Sequence, residues 1–563
     1  MKEKRIAKKQ NFLTGAAILS VSTIIVKVIG MFYKIPLKNI IGDAGYGYFS
    51  NAYDIYSFLL VLSTTGLPVA MSRMVSEART LNNGRQMQRI FRAALTSYLI
   101  VGMLGTLAMV CAPRRLADDL MHSPQTWYSI LTLGPAVLFI CLSSAFRGFF
   151  QGQGDMRPTA VSQIIEALGK LFLGLSFAWL AMRRWDDPAL ASGATILGIT
   201  VGAGFSALYV FTRYLRNRRE VAALGGSAEP FGKTLKALLA IAVPITIGAA
   251  GLQLINLLDA STVNWRMVVA AGKTTPEPVN VMGRLLAIAA QDTTRTAEVT
   301  LAEHASSIGK GIYSFAQTIF NLPTAFIPCI TAAIIPAITS HLTLRDAKGV
   351  KMVQDSSLRL MSLIAMPCTV GLFVLAEPIM ALLGGYSGEK LQIASWLLAL
   401  LAPTVLINSI TTMTTAIMQA HNHMVLPVVN TLIGGLAKLG VNFILVGNPD
   451  IAIVGAPIGT FVCFLVIMVL NVISMRRVLE APPKLLPRLW KTGVAALVMG
   501  LAAYLTNSLL GKVLSSAAVC CLGAIAVAVV FYALLVIAMK AITYEDCLLL
   551  PKGEKIAKIL RLQ

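Results

Sequence analysis

The sequence has few charged residues for its length. Only 13% of its 563 residues are Asp, Glu, Lys or Arg, about half of the roughly 25% that is usual in soluble domains. Hydrophobic residues make up 56%, which excludes intrinsic disorder, because disordered chains have low hydrophobicity. A soluble nucleic-acid-binding protein is disfavoured, since more than half of the residues would need burial. The composition favours an all-α polytopic membrane protein.

Acidic residues are scarcer than basic ones, at 26 against 48, so the formal net charge is +22. With both chain ends placed in the cytoplasm, 32 of the 48 basic residues fall in cytoplasmic segments and three fall inside helices. This asymmetry follows the positive-inside rule. It predicts a multi-pass protein of the bacterial plasma membrane with both termini cytoplasmic.

Motifs of soluble enzymes and of metal or redox sites are missing. The eight cysteines include no C-x-x-C pair, so they are interpreted as apolar residues rather than ligands or disulfides. Gly272-Lys273-Thr274 has the end of a phosphate-binding loop, but Met267 stands where that motif needs its first glycine. The sequence therefore predicts no catalytic residue, no metal site, no cofactor and no nucleic-acid partner.

Apolar stretches of about 20 residues, the length that spans a bilayer, predict about 14 transmembrane helices. Their approximate ranges are 12–33, 48–70, 89–111, 127–149, 159–182, 191–212, 236–262, 312–339, 357–384, 391–418, 425–447, 452–474, 491–510 and 514–539.

An internal repeat divides these helices. Residues 151–171 and 419–439 align at an offset of 268, and further matches follow in the same order at similar offsets. An even number of helices in each half makes the repeat parallel, which predicts a substrate site between the halves. The matched pairs include Gln151 and Gln419, Met156 and Met424, Leu168 and Leu436, Lys170 and Lys438, and Pro68 and Pro336.

Two homologous six-helix lobes around a central cavity are therefore expected, followed by two C-terminal helices. The N-terminal lobe is assigned to residues 1–235, and the C-terminal lobe to 236–475. The C-terminal lobe contains a long extracellular loop at 263–310. Residues 476–563 hold helices 13 and 14 and a cytoplasmic tail.

Ionisable residues inside membrane helices are costly, so they are the best candidates for a binding site. Each also has a structural interpretation. Glu166 and Lys170 have the i, i+4 spacing of a neutralising pair. Lys27 and Lys438 have side chains long enough to snorkel, but both lie several turns from a helix end. Asp54 and Asp259 are suited to interhelical hydrogen bonds. The candidates for the cavity are Lys27, Lys34, Asp54, Glu166, Lys170, Asp259, Arg266 and Lys438, with Arg147 as a gate or a topology anchor.

Several buried cations with few acids suit an anionic headgroup, with pyrophosphate the obvious one. An exporter of cationic drugs is expected to have an acid-dominated chamber instead. Residues 263–310 contain Asp292, Glu298, Glu303 and His304. Two interpretations of this segment stay open: an amphipathic surface helix and a catalytic site.

Three stretches carry a family resemblance. VKVIGMFYKIPLKNIIGDAGYGYFSNAYDIYSFLLVLSTTGLPVAMSRMVSEA (26–78) closely resembles the N-terminal signature of the stage V sporulation protein B-like polysaccharide flippases. RGFFQGQGDMRPTAVSQIIE (147–166) and NLPTAFIP with IIPAITSH (321–341) are similar to it as well. These flippases belong, with the lipid II flippases, to the multidrug/oligosaccharidyl-lipid/polysaccharide exporter superfamily.

The resemblance implies two six-helix lobes and the outward movement of undecaprenyl-pyrophosphate-linked sugars by alternating access, without ATP. It matches Lys27 to a basic position of the family's first helix. Lys34 falls one residue from the next such position. Asp259 and Arg266 match an acidic and a basic position in helix 7, whereas 263–310 resembles an insertion.

The leading hypothesis is a flippase for a lipid-linked cell-wall precursor, coupled to the membrane potential, H⁺ or Na⁺. Its expected partners are the lipid-linked glycan, the bilayer and proteins of cell-wall synthesis. Two alternatives stay open. One is a cation-coupled multidrug antiporter of the same fold, dependent on Asp54 or Asp259. The other is a membrane-bound glycan ligase or polymerase with its chemistry in 263–310.

Overall fold

The computed structural model describes residues 12–294, 299–479, 482–483, 485–514 and 516–543. Every regular element within those ranges is a helix, as expected of an all-α membrane protein. The helices of the first part are α1 (Phe12–Thr64), α2 (Gly66–Thr80), α3 (Gly84–Cys111), α4 (Pro113–Arg115), α5 (Trp127–Gly152), α6 (Arg157–Gly169), α7 (Leu175–Trp185), α8 (Pro188–Ala222) and α9 (Phe231–Ala271).

The second part continues the same pattern of long helices and short connections. Its helices are α10 (Val281–Gln291), α11 (Leu301–Thr324), α12 (Ile327–Thr343), α13 (Ala347–Val374), α14 (Ala376–Gly384), α15 (Gly388–Ala420), α16 (Val425–Leu445), α17 (Gly455–Val478), α18 (Leu486–Val513) and α19 (Ala517–Ala538).

Within the described ranges, twelve helical stretches are long and apolar enough to cross a membrane. The predicted count of fourteen is not confirmed, for two reasons. The first two predicted helices lie in one helical stretch, Val21–Thr80. Predicted helix 312–339 is divided between α11 and α12, neither of which meets both the length and the hydropathy of a spanning helix.

The long first stretch changes direction at Gly42. This residue has φ 71° and ψ −177° inside α1, a backbone conformation that glycine adopts without steric cost. A stretch of 60 residues is about 90 Å long at roughly 1.5 Å per residue. That is enough for two crossings of a hydrocarbon core of ~30 Å.

The segment predicted as the loop 263–310 is largely helical. Its beginning belongs to α9, its middle forms α10, and its end is the first part of α11. α10 is a short apolar helix of 11 residues, too short to span a bilayer. Glu298 lies outside the described residues.

The chain forms two compact units. Unit 1 consists of Met1–Val268 and Ala289–Gly311, and unit 2 of Val269–Ile288 and Ile312–Gln563. These units are defined by contacts between residues, whereas the predicted lobes are defined by the sequence repeat. The lobe boundaries at residues 235 and 475 therefore stay a prediction.

In unit 1, α5 packs against α3 and α8, and α8 also packs against α6. The contact between α6 and α8 needs glycine. A Cβ atom added to Gly169 would lie 2.5 Å from the Cα atom of Gly202, a distance that real side chains do not allow. The two backbones therefore approach closely at this point, where the Glu166 and Lys170 side chains begin.

In unit 2, α17 packs against α15 and α16, and α13 packs against α15 and α18. Its core contains Met361, Met413 and Ile417 at 0% exposure. A second buried cluster joins α18 and α19 through Ala503 and Ala524.

Candidate functional site

The predicted residues Glu166, Lys170 and Arg147 form one charged cluster in unit 1. The Lys170 Nζ atom lies 3.1 Å from Glu166 Oε1, and Arg147 Nη2 lies 3.1 Å from Glu166 Oε2. The three side chains are 12–22% exposed. Glu166 therefore binds two cations, and the cluster has one positive charge in excess.

Arg147 is held by serines as well as by the carboxylate. Its Nε donates to Ser162 Oγ at 2.8 Å, and its Nη2 donates to Ser206 Oγ at 2.8 Å. These hydrogen bonds join α5 to α6 and α8. Arg147 is thus part of a hydrogen-bond network within unit 1. Its role as a gate stays a prediction.

A break in regular α-helix positions Lys170. Residues Lys170–Gly174 form a π-helical segment between α6 and α7, and such segments are frequent at functional sites. The sequence predicted one continuous helix at 159–182 and gave no signal of this change.

Unit 2 has a neutral network at the matching positions of the repeat. Asn430 Nδ2 donates to Asn471 Oδ1 at 2.9 Å and to Ser474 Oγ at 3.2 Å. Asn471 Nδ2 donates to Thr415 Oγ1 at 3.0 Å. At the offset of 268, Asn430 matches Ser162 and Thr415 matches Arg147. Both halves thus make polar contacts at these positions, and the position of Arg147 is charged only in unit 1.

Lys438, the repeat partner of Lys170, is half-buried in α16. Gly434 stands where Glu166 stands in the first repeat, and it has a packing role. A Cβ atom there would lie 2.8 Å from the backbone oxygen of Cys463. A carboxylate side chain at this position is excluded by the closeness of α16 and α17.

The lysines of α1 differ in their surroundings. Lys27 is exposed and Lys34 is half-buried. Lys38, which the sequence did not single out, is buried, and its Nζ lies 3.4 Å from Asp43 Oδ1. Lys27 makes no ion pair with any described residue, so it is the most accessible cation on this helix.

Asp54 has a partner that sequence reasoning missed. Its Oδ2 accepts a hydrogen bond of 3.1 Å from Lys310 Nζ. The Lys310 side chain is 6% exposed and that of Asp54 is 34% exposed. Asp54 thus links α1 to α11 within unit 1, as an interhelical contact of the kind expected for it.

Asp259 and Arg266 lie two turns apart on α9. Asp259 is 6% exposed, and the guanidinium of Arg266 lies 5.7 Å from the ring centroid of Trp265, within the range of a cation–π contact. No ion pair of 4 Å or less joins either residue to Glu166, Lys170 or Lys27 among the described contacts. The cavity residues of the sequence prediction thus fall into several separate groups.

The acidic segment after α10 contains a structural pair. His304 Nε2 lies 3.2 Å from Asp292 Oδ2, while the Thr294 backbone N–H and hydroxyl donate to Asp292 Oδ1 at 3.0 Å and 2.8 Å. The hydrogen bond with His304, followed by those from Thr294, holds the pKa of Asp292 well below its ordinary value. These contacts anchor the segment to the start of α11.

A small cavity of about 10 Å³ adjoins this pair, lined by Tyr48, Gln125, Asp187 and His304 among others. Its size is near the limit of ~10–15 Å³ that a single water requires. Across the described ranges, no group of three or more His, Cys, Asp or Glu side chains is arranged to hold a metal ion.

Its long apolar helices, with charged clusters inside them, define the class as a multi-pass α-helical membrane protein. The chain belongs to the polysaccharide biosynthesis protein family, which it matches over residues 12–342.

Two relatives from Bacillus subtilis (strain 168) match most of the chain. Stage V sporulation protein B is 26% identical over 479 residues, covering 85% of this chain and 86% of the relative. Lipid II flippase MurJ is 24% identical over 445 residues, covering 76% of each protein. The resemblance to this group of flippases is therefore confirmed.

Solved structures show the same fold. A lipid II flippase MurJ in an inward closed conformation matches with a TM-score of 0.66 at 13% identity, covering 92% of this chain and 98% of that one. An inward-facing multidrug resistance MATE family transporter matches with a TM-score of 0.61 at 14% identity, covering 81% and 97%. At these identities the likeness concerns the fold alone.

Proposed function

We propose that the protein moves an undecaprenyl-pyrophosphate-linked cell-wall precursor or polysaccharide unit across the bacterial plasma membrane. Lys27 is the observation that carries this proposal most directly. It lies inside the candidate span that begins at Val21, about 9 Å from that residue and about 22 Å from Gly42 at roughly 1.5 Å per residue. An exposed cation at such a depth costs at least ~2.5 kcal/mol, and an anionic headgroup in a hydrated path offsets this cost.

Lys34 supports the same assignment. It lies about 12 Å before Gly42 on α1, at roughly 1.5 Å per residue, and is half-buried. Two lysines separated by about two turns suit the two phosphates of a pyrophosphate group, since lysine binds phosphate as a mobile point charge. Asp259, Arg266 and Lys438 are proposed to line the same path.

Movement is proposed to occur by alternating access. A parallel repeat and two compact units, each with its own core, are the expected basis for rigid-body rocking of one half against the other. The membrane potential is a proposed energy source, because one charge moved across 100 mV is worth about 2.3 kcal/mol. H⁺ or Na⁺ coupling is the alternative, and ATP is not required.

Complementation tests this function. Cells depleted of their lipid II flippase would be supplied with the wild-type chain, Lys27→Ala, Lys438→Ala, or Lys273→Ala as a matched control. Lys273 is an exposed lysine outside the candidate spans. We expect the wild type and Lys273→Ala to restore growth and Lys27→Ala to restore it poorly. Full rescue by both Lys27→Ala and Lys438→Ala would refute the cationic-site mechanism.

Reconstituted protein distinguishes the three functions. In proteoliposomes, a flippase makes a labelled lipid-linked precursor accessible on the opposite leaflet without changing it chemically. Ion-driven dye efflux that depends on Asp54 or Asp259 would instead indicate a multidrug antiporter. A longer or newly joined glycan, lost when residues 273–299 are deleted, would indicate a ligase or polymerase.

A further inference from the structure

The charged cluster of unit 1 has a surplus of positive charge. Arg147 and Lys170 share the single carboxylate of Glu166, which is the only acidic side chain within 4 Å of either among the described residues. A buried charge without compensation is costly. The cluster lies on helices that are candidate membrane spans, where water offers less compensation. The surplus therefore needs a source of negative charge.

The hydrogen bonds assign this surplus to Lys170. Arg147 donates to Glu166, Ser162 and Ser206, so its guanidinium is well satisfied. The Lys170 ammonium has three donors, and Glu166 Oε1 is its one ion-pair acceptor within the described ranges. With 22% exposure, the Lys170 side chain remains accessible to a small ligand.

Tyrosine side chains of α1 lie near the same ammonium group. The Tyr33 hydroxyl lies 3.2 Å from the place of a Cβ atom on Gly174, one turn after Lys170, and Tyr33, Tyr53 and Tyr56 are all within range of the Lys170 charge. Tyr33 is 3% exposed and Tyr56 1% exposed, yet neither hydroxyl has a hydrogen-bond partner among the described residues. Buried polar groups normally have partners, so both hydroxyls require an explanation.

Aromatic packing holds these tyrosines in place. The Tyr33 and Phe49 ring centroids are 6.3 Å apart, those of Phe49 and Tyr53 are 5.7 Å apart, and those of Tyr53 and Tyr56 are 5.3 Å apart. Such contacts hold the rings in place. The hydroxyl oxygens therefore keep their positions, while each O–H can still rotate toward an acceptor.

We propose that Lys170, Tyr33 and Tyr56 form a binding site for an anion inside unit 1. One ammonium and two hydroxyls offer donors to a ligand that accepts hydrogen bonds, and a single negative charge balances the cluster. A halide such as chloride fits this description, and so does one phosphate oxygen of a lipid headgroup. The site uses side chains other than Lys27 and Lys34, which carry the proposed function, so variants of each set test the two proposals separately.

Thermal unfolding of the purified full-length protein tests this site. The melting temperature would be measured in sodium chloride and in sodium gluconate at equal ionic strength, with farnesyl pyrophosphate as a third arm. A ligand that binds only the folded protein raises the melting temperature in a concentration-dependent way. We expect a rise of several degrees with chloride or with the pyrophosphate, and its loss in Lys170→Met.

Lys170→Met is expected to fold, because it leaves Arg147 and Glu166 as a balanced pair. Tyr33→Phe with Tyr56→Phe provides a second test, since it removes the two hydroxyls without changing ring packing. Lys273→Met, at an exposed lysine outside the candidate spans, is the matched control and keeps the chloride response. A response to pyrophosphate alone that Lys170→Met abolishes identifies the lipid headgroup as the source of the anion.

The proposal is overturned if no anion raises the melting temperature above that in gluconate. It is also overturned if Lys170→Met and the double tyrosine variant respond as strongly as the wild type. If no anion raises the melting temperature, water is the partner of the two tyrosine hydroxyls. The excess positive charge is then absent because Lys170 is neutral. A bromide peak beside Lys170 Nζ in anomalous diffraction would support the site directly.

Discussion

At the residue scale, the carboxylate of Glu166 is the one negative charge paired with Arg147 and Lys170 among the described contacts. Glu166 binds both Arg147 and Lys170 at 3.1 Å, so the three side chains are not equivalent. Removal of a buried partner is costly because the charge left behind is uncompensated. Neutralising Glu166 leaves two uncompensated positive charges, on Arg147 and Lys170. Neutralising Lys170 leaves none, because Arg147 and Glu166 still balance each other.

We therefore predict an unequal effect on stability. Glu166→Gln should lower the free energy of unfolding by about 3–5 kcal/mol, the range for a broken buried ion pair. Lys170→Met should change it by less than about 1 kcal/mol, because the remaining Arg147–Glu166 pair is balanced. Thermal or chemical unfolding in detergent measures both.

A double variant provides the control. Glu166→Gln combined with Lys170→Met restores the surplus of one positive charge and should recover part of the lost stability. Equal effects of the two single changes would contradict the charge-balance argument. An unchanged free energy of unfolding in Glu166→Gln would contradict the charge-balance argument more strongly.

Asp292 gives a prediction about pH. Its pKa in the folded protein is lowered, first by the hydrogen bond with His304 and then by those from Thr294. A lowered carboxyl pKa stabilises the folded state above the unfolded pKa, about 3.9. This contribution is lost as the pH falls through the folded value. Asp292→Asn should therefore lower the melting temperature at pH 7.

The difference between Asp292→Asn and wild type should shrink below about pH 4. Glu303→Gln serves as a control, because Glu303 accepts from the exposed Thr300 backbone N–H and hydroxyl rather than from a buried histidine. A melting-temperature difference between Asp292→Asn and wild type that is constant from pH 3 to pH 8 would rule out the pairing as its cause.

Hydropathy predicted most of the helices at the element scale. The predicted ranges 127–149, 391–418 and 425–447 lie at α5, α15 and α16 with end points displaced by a few residues. Length and apolar content fix such helices, because only a helix satisfies its own backbone in a bilayer. The π-helical turn at Lys170 depends on tertiary contacts, so the sequence did not show it.

The start of α11 shows why Lys310 was missed. Glu303, His304 and Lys310 lower the hydropathy of its first turns, so the sequence placed this helix at 312. A capping signal was present, because Thr300 and Glu303 have the spacing of a capping box. Their side chains form it, with Thr300 Oγ1 accepting from the Glu303 N–H. Reading this signal would have extended the helix to include Lys310.

The close contact between α6 and α8 yields a test at the same scale. Gly169→Ala places a Cβ atom 2.5 Å from the Gly202 Cα, and overpacking of this kind costs about 1–3 kcal/mol. We expect a lower melting temperature and a weaker anion response, since Lys170 adjoins this contact.

Gly248→Ala is the matched control for Gly169→Ala. Gly248 lies inside α9 of unit 1, and nothing is within 4 Å of an added Cβ atom. Alanine should therefore stabilise this helix by up to about 1 kcal/mol. If both variants were stabilised, the close approach of α6 and α8 would not limit side-chain size.

The repeat is informative at the scale of the whole molecule. The sequence predicted that Lys170 and Lys438 are equivalent, but it did not show that Arg147, Ser162 and Glu166 share one network, because those contacts are made in three dimensions. The second half has Thr415 and Asn430 at the matching positions. At the matched positions, Arg147 is charged whereas Thr415 is neutral, although Lys170 and Lys438 are both cationic.

Orientation in the membrane gives the last prediction. The connection between α8 and α9 is predicted to be cytoplasmic, because Arg213, Arg216 and Lys233 flank it. Residues 272–280, beyond the 41-residue helix α9, are predicted to be extracellular. Cysteines introduced as Ser227→Cys and Thr275→Cys, in a chain whose eight native cysteines are replaced, would be probed with a membrane-impermeant maleimide.

We expect Thr275→Cys to react in intact cells and Ser227→Cys only after permeabilisation, since α9 is long enough to separate the two sides. The opposite pattern would show that the basic residues do not set the orientation. Reaction of both cysteines in intact cells would mean that α9 does not cross the membrane. The predicted parity of helices in each half, and with it the parallel repeat on which alternating access depends, would then fail.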